Sequence, residues 1–291
     1  MKEPTLGNPQ NTIAVLQKYH FNFQKKFGQN FLIDTHVLER IIEAAGITKD
    51  DFVLEIGPGF GVLTAELCRR AEKVVAIELD DRLPPILAET LAEFKNVTIV
   101  QGDAMVLDLP ALIAEHFAGM PVVVCANLPY YITSPIIMRL LEGPLPIRSL
   151  TVMVQKEAAV RITAAPGTRE CGAISAAVWY YSTPKLLFPV SRGSFLPAPA
   201  VDSAVIRLDL PQELPEDLPP REDFFAVVRA GFGQRRKTML NSLSAGLRWE
   251  KDATRALLTA AGIAENARAE QVTLEQWKAL TRAYFSMKKS R

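Results

Sequence analysis

The chain has 291 residues, 48% hydrophobic and 22% charged, which excludes a disordered or fibrous protein and suits one large domain plus a small one. Its formal net charge of +1 hides an asymmetry: residues 221–291 hold 14 Lys and Arg against 7 Asp and Glu, so this end carries +7 and the remainder −6. A basic, nucleic-acid-facing C-terminal part is therefore expected, while Cys68, Cys125 and Cys171, widely spaced and without histidine at ligand spacing, indicate neither a disulfide framework nor a zinc site.

Residues 1–24 show weak periodicity and read as an N-terminal arm with at most one short helix. The chain start lacks the basic, apolar and small-residue regions of a signal peptide, so a cytoplasmic location with reduced thiols is expected. From Asp34, a plausible N-cap, the spacing of Val37, Leu38, Ile41, Ile42 and Ala45 predicts a helix that Gly46 stops. A strand over Phe52–Ile56 then runs into Gly57-Pro58-Gly59-Phe60-Gly61, which opens a helix over Val62–Arg70. A strand over Val74–Glu78 follows, and a helix across Leu83–Phe94 whose Pro84 and Pro85 are tolerable only in its first turn. Val97–Val100, Val122–Ala126 and Leu150–Val154 continue the strands. Residues 117–138 carry no formal charge, but Pro121, Asn127, Pro129 and Pro135 interrupt them, so no membrane span is expected. Val201–Leu208 alternates like a late strand. Residues 209–220 (DLPQELPEDLPP) read as a linker, and 221–291 are helical in pattern, punctuated by Gly231, Gly246 and Gly262. Apolar β-branched runs alternating with helical stretches predict a doubly wound, mostly parallel α/β sheet over 25–208 and a small all-α domain over 221–291.

The strand ends carry the chemistry. Glu55-x-Gly57-x-Gly59-x-Gly61 lets a backbone approach a ligand closely at a helix N-terminus, with a spacing that differs from Gly-x-Gly-x-x-Gly. Glu78, 21 residues after Gly57, stands where a carboxylate holds ribose hydroxyls, a logic shared by binders of NAD and of S-adenosylmethionine. Gly102-Asp103 suits adenine recognition. After the fourth strand, Asn127-Leu128-Pro129-Tyr130 offers what methylation of an exocyclic amine needs. The amine is a poor nucleophile because its lone pair is delocalised into the ring; the Asn127 carboxamide oxygen and a main-chain carbonyl held by the fixed φ of Pro129 can each accept one of its protons. The Tyr130 ring offers a stacking face for a splayed base. Taken in order, the four strand ends favour methyl transfer over hydride transfer. The basic clusters Lys25, Lys26, Arg235, Arg236 and Lys237 are expected to contact RNA phosphates.

An ordered set of segments, KKFGQNFL (25–32), VLEIGPGFG (53–61), IELD (77–80), Gly102-Asp103, NLPYYIT (127–133), MVQKE (153–157), FLPAPAVDSAVIRL (195–208) and RAGFGQRRKTMLNSL (229–243), resembles the ribosomal RNA adenine dimethyltransferase family over most of the chain. The resemblance implies a Rossmann-like class I methyltransferase with S-adenosylmethionine as cofactor and no metal. It implies that Asn30, Leu32, Gly57, Glu78, Asp103 and Asn127 contact the cofactor, with Gly59 and Ala104 alongside. Asn127, Leu128, Pro129 and Tyr130 would hold the target base, with Phe195 as a second aromatic wall. Residues 229–243 look like the small-subunit type, which dimethylates two adjacent adenosines in the 3′-terminal hairpin loop of small-subunit (16S) rRNA; a partly assembled small subunit is the implied substrate, and a monomer the default. Alternatives are the large-subunit enzyme of the macrolide-resistance type, a non-catalytic assembly factor on the same fold, and a DNA adenine methyltransferase, whose motif more often reads Asp-Pro-Pro-Tyr. Cys171-Gly172, Trp179 and the Pro84-Pro85 pair depart from the family pattern; the first two read as packing changes, the last as a shortening of the helix after Glu78.

Overall fold

The computed structural model describes residues 9–289 apart from 25–27, 214, 215, 217 and 235. Lys25, Lys26 and Arg235 lie outside the described residues. The chain divides into two compact units, one running to Ala159 and including Lys185–Leu210, the other comprising Val160–Pro184 and Pro211–Arg291.

In the first unit the valine-rich runs become central strands because they are apolar on both faces, which only a sheet covered on both sides satisfies. β2 (Phe52–Ile56), β3 (Lys73–Glu78), β4 (Val97–Gln101), β5 (Val122–Asn127) and β6 (Ile147–Gln155) pair in parallel. β9 (Ser203–Asp209) runs antiparallel to β6, and β7 (Thr183–Val190) lies beyond it, giving the order β4-β3-β2-β5-β6-β9-β7 among the described residues. The chain winds from β2 outward to β4 and then returns to the other side of β2. The carboxyl ends of β2 and β5 thus flank a topological switch point, where open α/β sheets bind ligands.

The local signals that set these elements are visible atom by atom. The Asp34 carboxylate accepts from the His36 and Val37 amides at 3.1 and 3.2 Å and starts α2 (Thr35–Ala45), and Gly46, at φ 60°, ends it. α3 (Val62–Arg70) follows the glycine turn. α4 (Pro84–Thr90) begins on the proline pair as expected but stops four residues short of Phe94, because the Ala92 and Phe94 amides fold back onto the Glu89 and Leu91 carbonyls in tight turns leading to β4. The arm forms α1 (Pro9–Lys18), and the chain then adds β1 (Phe31–Leu32), paired antiparallel with β8 (Phe195–Leu196).

The second unit takes in α8 (Ala173–Tyr181), which a boundary at 209–220 would place with the sheet. The physical reason is aromatic packing: the Tyr180 and Phe224 rings lie 4.5 Å apart, Tyr181 stacks on Phe225 at 5.7 Å, and the Tyr180 hydroxyl donates to the Pro219 carbonyl at 2.9 Å. The remaining helices are α9 (Arg221–Phe232), α10 (Met239–Leu247), α11 (Lys251–Ala260) and α12 (Leu274–Lys289). Of the three glycines expected to punctuate them, only Gly262 follows a helix end. Gly231 and Gly246 sit inside α9 and α10, where a Cβ would lie 2.5 Å from the Trp277 ring and 2.6 Å from the Ala230 Cα; they allow helices to approach rather than stop them. No helix among the described residues is long and apolar enough to cross a membrane.

Candidate active site

A cleft opens at the switch point, within the first unit. Its floor is the glycine turn after β2. Gly57, Gly59 and Gly61 all have positive φ, and at Gly59 a Cβ would stand 2.7 Å from the Phe31 ring, so a side chain there would both strain the turn and push Phe31 from its place in the cleft wall. The Gly57 amide donates to the Ile77 carbonyl at 2.9 Å, which ties the turn to β3.

Glu78, at the end of β3, is 6% exposed and lines the cleft. It accepts from the Asp80 amide at 2.8 Å and the Gly59 amide at 3.3 Å. Burial pushes its carboxyl up to about 7 against these bonds. Glu55, 1% exposed and also lining the cleft, leaves Oε2 without a partner among the described residues; burial, opposed by the nearby Thr64 hydroxyl and reinforced by the charge of Glu78, pushes its carboxyl up to about 8. Asp103 follows β4 and turns one oxygen to the Met105 amide at 2.8 Å; with Gly102 and Ala104 it forms another stretch of the wall.

Asn127 ends β5. Its Nδ2 donates to the main-chain carbonyl of Asn30 at 3.1 Å, so the carboxamide offers the cleft its oxygen, an acceptor. The Pro129 carbonyl is already engaged by the Ile132 amide at 3.2 Å and the Thr133 hydroxyl at 3.3 Å. The Leu128 carbonyl, on the peptide bond into the Pro129 ring, is therefore the main-chain acceptor the loop can offer beside Asn127. The Tyr130 hydroxyl is held by Ser203 Oγ at 2.6 Å, which fixes the ring at the cleft wall.

The structure thus brings Asn30, Leu32, Gly57, Glu55, Gly59, Glu78, Asp103, Ala104, Asn127, Leu128, Pro129 and Tyr130 to one cleft. It does not bring Phe195 there: that ring is 3% exposed, in β8, packed in the apolar core with Leu32, Val190 and Val205. Arg236 and Lys237 are exposed in the second unit, between α9 and α10. Among the further residues lining the cleft that sequence reasoning leaves unassigned are Tyr131 and Gln29. Tyr131, beside Tyr130, is 54% exposed with its ring over Gly28, and Gln29 is tied to Asp80; the doubled tyrosine is a readable signal for the first, whereas nothing local announces the second.

Among the described residues that line this cleft, the charged side chains are the carboxyls of Glu55, Glu78 and Asp103, and the Asn127 oxygen and the Leu128 carbonyl are acceptors. A pyrophosphate would meet the carboxyls of Glu55 and Glu78, which offer it no positive charge and would be held protonated beside it. A ligand bearing ribose hydroxyls, an ammonium and a sulfonium fits, since it supplies donors and positive charge where the protein supplies acceptors. The fold and cleft define a Rossmann-like, S-adenosylmethionine-dependent methyltransferase.

Comparison with known proteins narrows the class. The sequence family described as ribosomal RNA adenine dimethylase matches residues 20–284, and the chain belongs to it. It is 48% identical over 277 residues to a protein of Alkaliphilus oremlandii named ribosomal RNA small subunit methyltransferase A, covering 94% of this chain and 96% of that one. A protein of the same name from Alkaliphilus metalliredigens is 50% identical with the same coverage. Among solved structures, the 23S rRNA methyltransferase ErmE superposes with a TM-score of 0.68 at 31% identity, over 87% of this chain and 99% of that one. A dimethyladenosine transferase from Plasmodium falciparum gives 0.71 at 26% identity, over 88% and 98%. The enzyme is an rRNA adenine dimethyltransferase.

Proposed function

We propose that this enzyme dimethylates the N6 amines of two adjacent adenosines in the 3′-terminal hairpin loop of small-subunit (16S) rRNA, acting in the cytoplasm as a monomer on a partly assembled small subunit. The observation that carries the chemistry is the orientation of Asn127, whose nitrogen is spent on Asn30 and whose oxygen remains for the target amine. The choice of subunit is supported by the relatives: those named for the small subunit are 42–50% identical, against 31% for the large-subunit enzyme.

S-adenosylmethionine, when bound, supplies an electrophilic methyl group on its sulfonium. Gly57, Gly59, Glu78, Asp103, Ala104, Asn30 and Leu32 bind and orient it along the carboxyl ends of β2, β3 and β4. Tyr130 stacks on the splayed adenine. Asn127 Oδ1 and the Leu128 carbonyl accept the two amine protons and let the nitrogen pyramidalise, so its lone pair points at the methyl. The excess proton leaves to water after transfer, so no strong general base is required. A monomethylated amine still carries one proton to bond, which lets the same acceptors serve the second round. Arg236 and Lys237, with Lys25, Lys26 and Arg235, contact RNA phosphates.

The test is incubation with S-adenosylmethionine and small subunits lacking the modification, followed by mass analysis of the 3′-terminal rRNA fragment. The expected result is four methyl groups on two adjacent adenosines. No gain, with the cofactor shown to bind, would overturn the assignment in favour of the large-subunit substrate or a binding-only role in assembly.

A further inference from the structure

Asn127 can help the target amine only if its carboxamide presents oxygen rather than nitrogen, and a carboxamide turned by 180° would aim two donors at the amine protons. A single hydrogen bond sets this choice, from Asn127 Nδ2 to the Asn30 main-chain carbonyl at 3.1 Å. What holds the Asn30 peptide then matters. Its neighbour Gln29 donates through Nε2 to Asp80 Oδ2 at 2.7 Å and accepts the Gln24 amide on Oε1 at 3.0 Å. Asp80 is itself fixed on three sides. Its Oδ1 takes the Arg82 amide at 3.1 Å and Arg82 Nε at 2.8 Å, its Oδ2 takes Arg82 Nη2 at 2.5 Å, and its own amide donates to Glu78 at 2.8 Å. Arg82 is anchored in turn, its Nη1 bonding the Asn22 carbonyl at 2.9 Å and its guanidinium lying 4.5 Å from the Phe21 ring centre. Burial pushes the Asp80 carboxyl up, but its bonds from Arg82 and Gln29 outweigh this and hold it below the usual range, so it stays an anion against which Gln29 makes a charge-assisted bond.

We propose that Gln29 is a positioning residue for methyl transfer: clamped by Asp80 and Arg82, it fixes the Asn30 peptide, whose carbonyl keeps the Asn127 carboxamide turned oxygen-first towards the target amine. The clamp also joins the two halves of the site, because Asp80 and Gly59 hold the same Glu78 carboxylate. Cofactor side and amine side share one hydrogen-bonded frame, built from residues 51 and 97 positions apart in the chain. The inference rests on the reading of Asn127 as the amine acceptor.

Three comparisons test it, with the full-length enzyme. In single-turnover assays on unmodified small subunits at saturating S-adenosylmethionine, Gln29→Met should slow transfer about tenfold with the KM for RNA unchanged, the scale expected of one misplaced catalytic group. In an Asn127→Ala background the same change should cause no further slowing, since the group it positions is gone. The pair Gln29→Glu with Asp80→Asn exchanges donor and acceptor across the hydrogen bond and should recover most of the rate that Gln29→Glu alone loses. Independently of activity, the side-chain amide of Asn127 in ¹⁵N-labelled, ligand-free protein, identified by its loss in Asn127→Ala, should exchange with solvent at least about tenfold faster in Gln29→Met. Unchanged Asn127 amide exchange, or a rate loss from Gln29→Met that adds in full to that of Asn127→Ala, would overturn the proposal. Should Gln29→Met fail to fold, Gln29→Glu, which keeps the acceptor for the Gln24 amide, carries the same exchange measurement. If wild-type enzyme transfers no methyl to the subunit, it is the functional reading that fails, and the amide exchange still decides the role of Gln29.

Discussion

Replacing Glu55 by Gln is expected to stabilise the ligand-free enzyme, and only at high pH. Glu55 is buried at the floor of the cleft with an unpartnered oxygen, and its carboxyl is pushed from an ordinary 4.5 up to about 8 by burial and then by Glu78. The folded chain therefore holds this proton more tightly than the unfolded chain. The resulting stability is fully present below about pH 4.5, declines as pH rises and is exhausted above about 8. At about 1.4 kcal/mol per pH unit, carrying the ionised carboxylate in the ligand-free fold costs at most about 4 to 5 kcal/mol. Glutamine mimics the protonated acid in shape and never ionises. Urea unfolding of both proteins from pH 5 to 9, without cofactor, should give similar midpoints at pH 5 and a widening advantage for Glu55→Gln that levels off past pH 8. Two curves that stay parallel across this range would refute the argument, because they would mean that Glu55 titrates normally and that the cleft floor is wet.

Asn127→Ala should slow methyl transfer by about 1 to 3 kcal/mol, one buried hydrogen bond to the transition state, and unchanged turnover on unmodified subunits would remove Asn127 from the mechanism. Gly246→Ala should lower the melting temperature, because its Cβ would sit 2.6 Å from the Ala230 Cα; overpacking of this kind costs about 1 to 3 kcal/mol, and a thermal melt at or above wild type would show that α9 and α10 can part. Removing the charges of Arg236 and Lys237 should reduce the slope of log binding constant against log salt by about 0.7 to 0.9 for each phosphate that is no longer neutralised, and an unchanged slope in RNA binding would place that surface off the RNA.

What could be read in the sequence is what the chain specifies locally. Phe52–Ile56 and Val62–Arg70 form a strand and a helix with the expected limits, since an apolar run, three positive-φ glycines and a helix start lie within 19 residues. The strand ends could be read for the same reason: in a doubly wound sheet the loop after each central strand must open on the same side, so Glu55, Glu78, Asp103 and Asn127 converge whatever the helices do. Side-chain partners distant in sequence were not legible. Phe195 is aromatic and follows a turn, but pairing of β8 with β1 turns its ring into the core, and no feature of residues 195–208 encodes where residues 31 and 32 will lie. The capture of 160–184 by the C-terminal helices depends on Tyr180 and Tyr181 finding Phe224 and Phe225, over forty residues away. Gly231 and Gly246 mislead for a related reason: a glycine that ends a helix and one that lets another side chain in look alike until the neighbour is known.

On the proposed mechanism this cleft works without a general base. A proton acceptor strong enough to deprotonate an amine at neutral pH would have to be a side chain held ready for it, and the groups assigned to the amine are instead the Asn127 carboxamide oxygen, its nitrogen being spent on Asn30, and the Leu128 carbonyl, which accept hydrogen bonds without taking the proton. Such acceptors cannot remove a proton, but they can hold the amine in the pyramidal geometry in which its lone pair is available, and they cost nothing to reorganise as positive charge grows on the nitrogen. The buried carboxyls Glu55 and Glu78, whose protons burial holds in the ligand-free fold, ionise more readily beside a positive charge, so the floor favours a cationic cofactor over its neutral product. On the proposed mechanism catalytic power rests on orientation of neutral acceptors, and it is on this reading that a residue such as Gln29, which touches no reacting atom, would govern the rate.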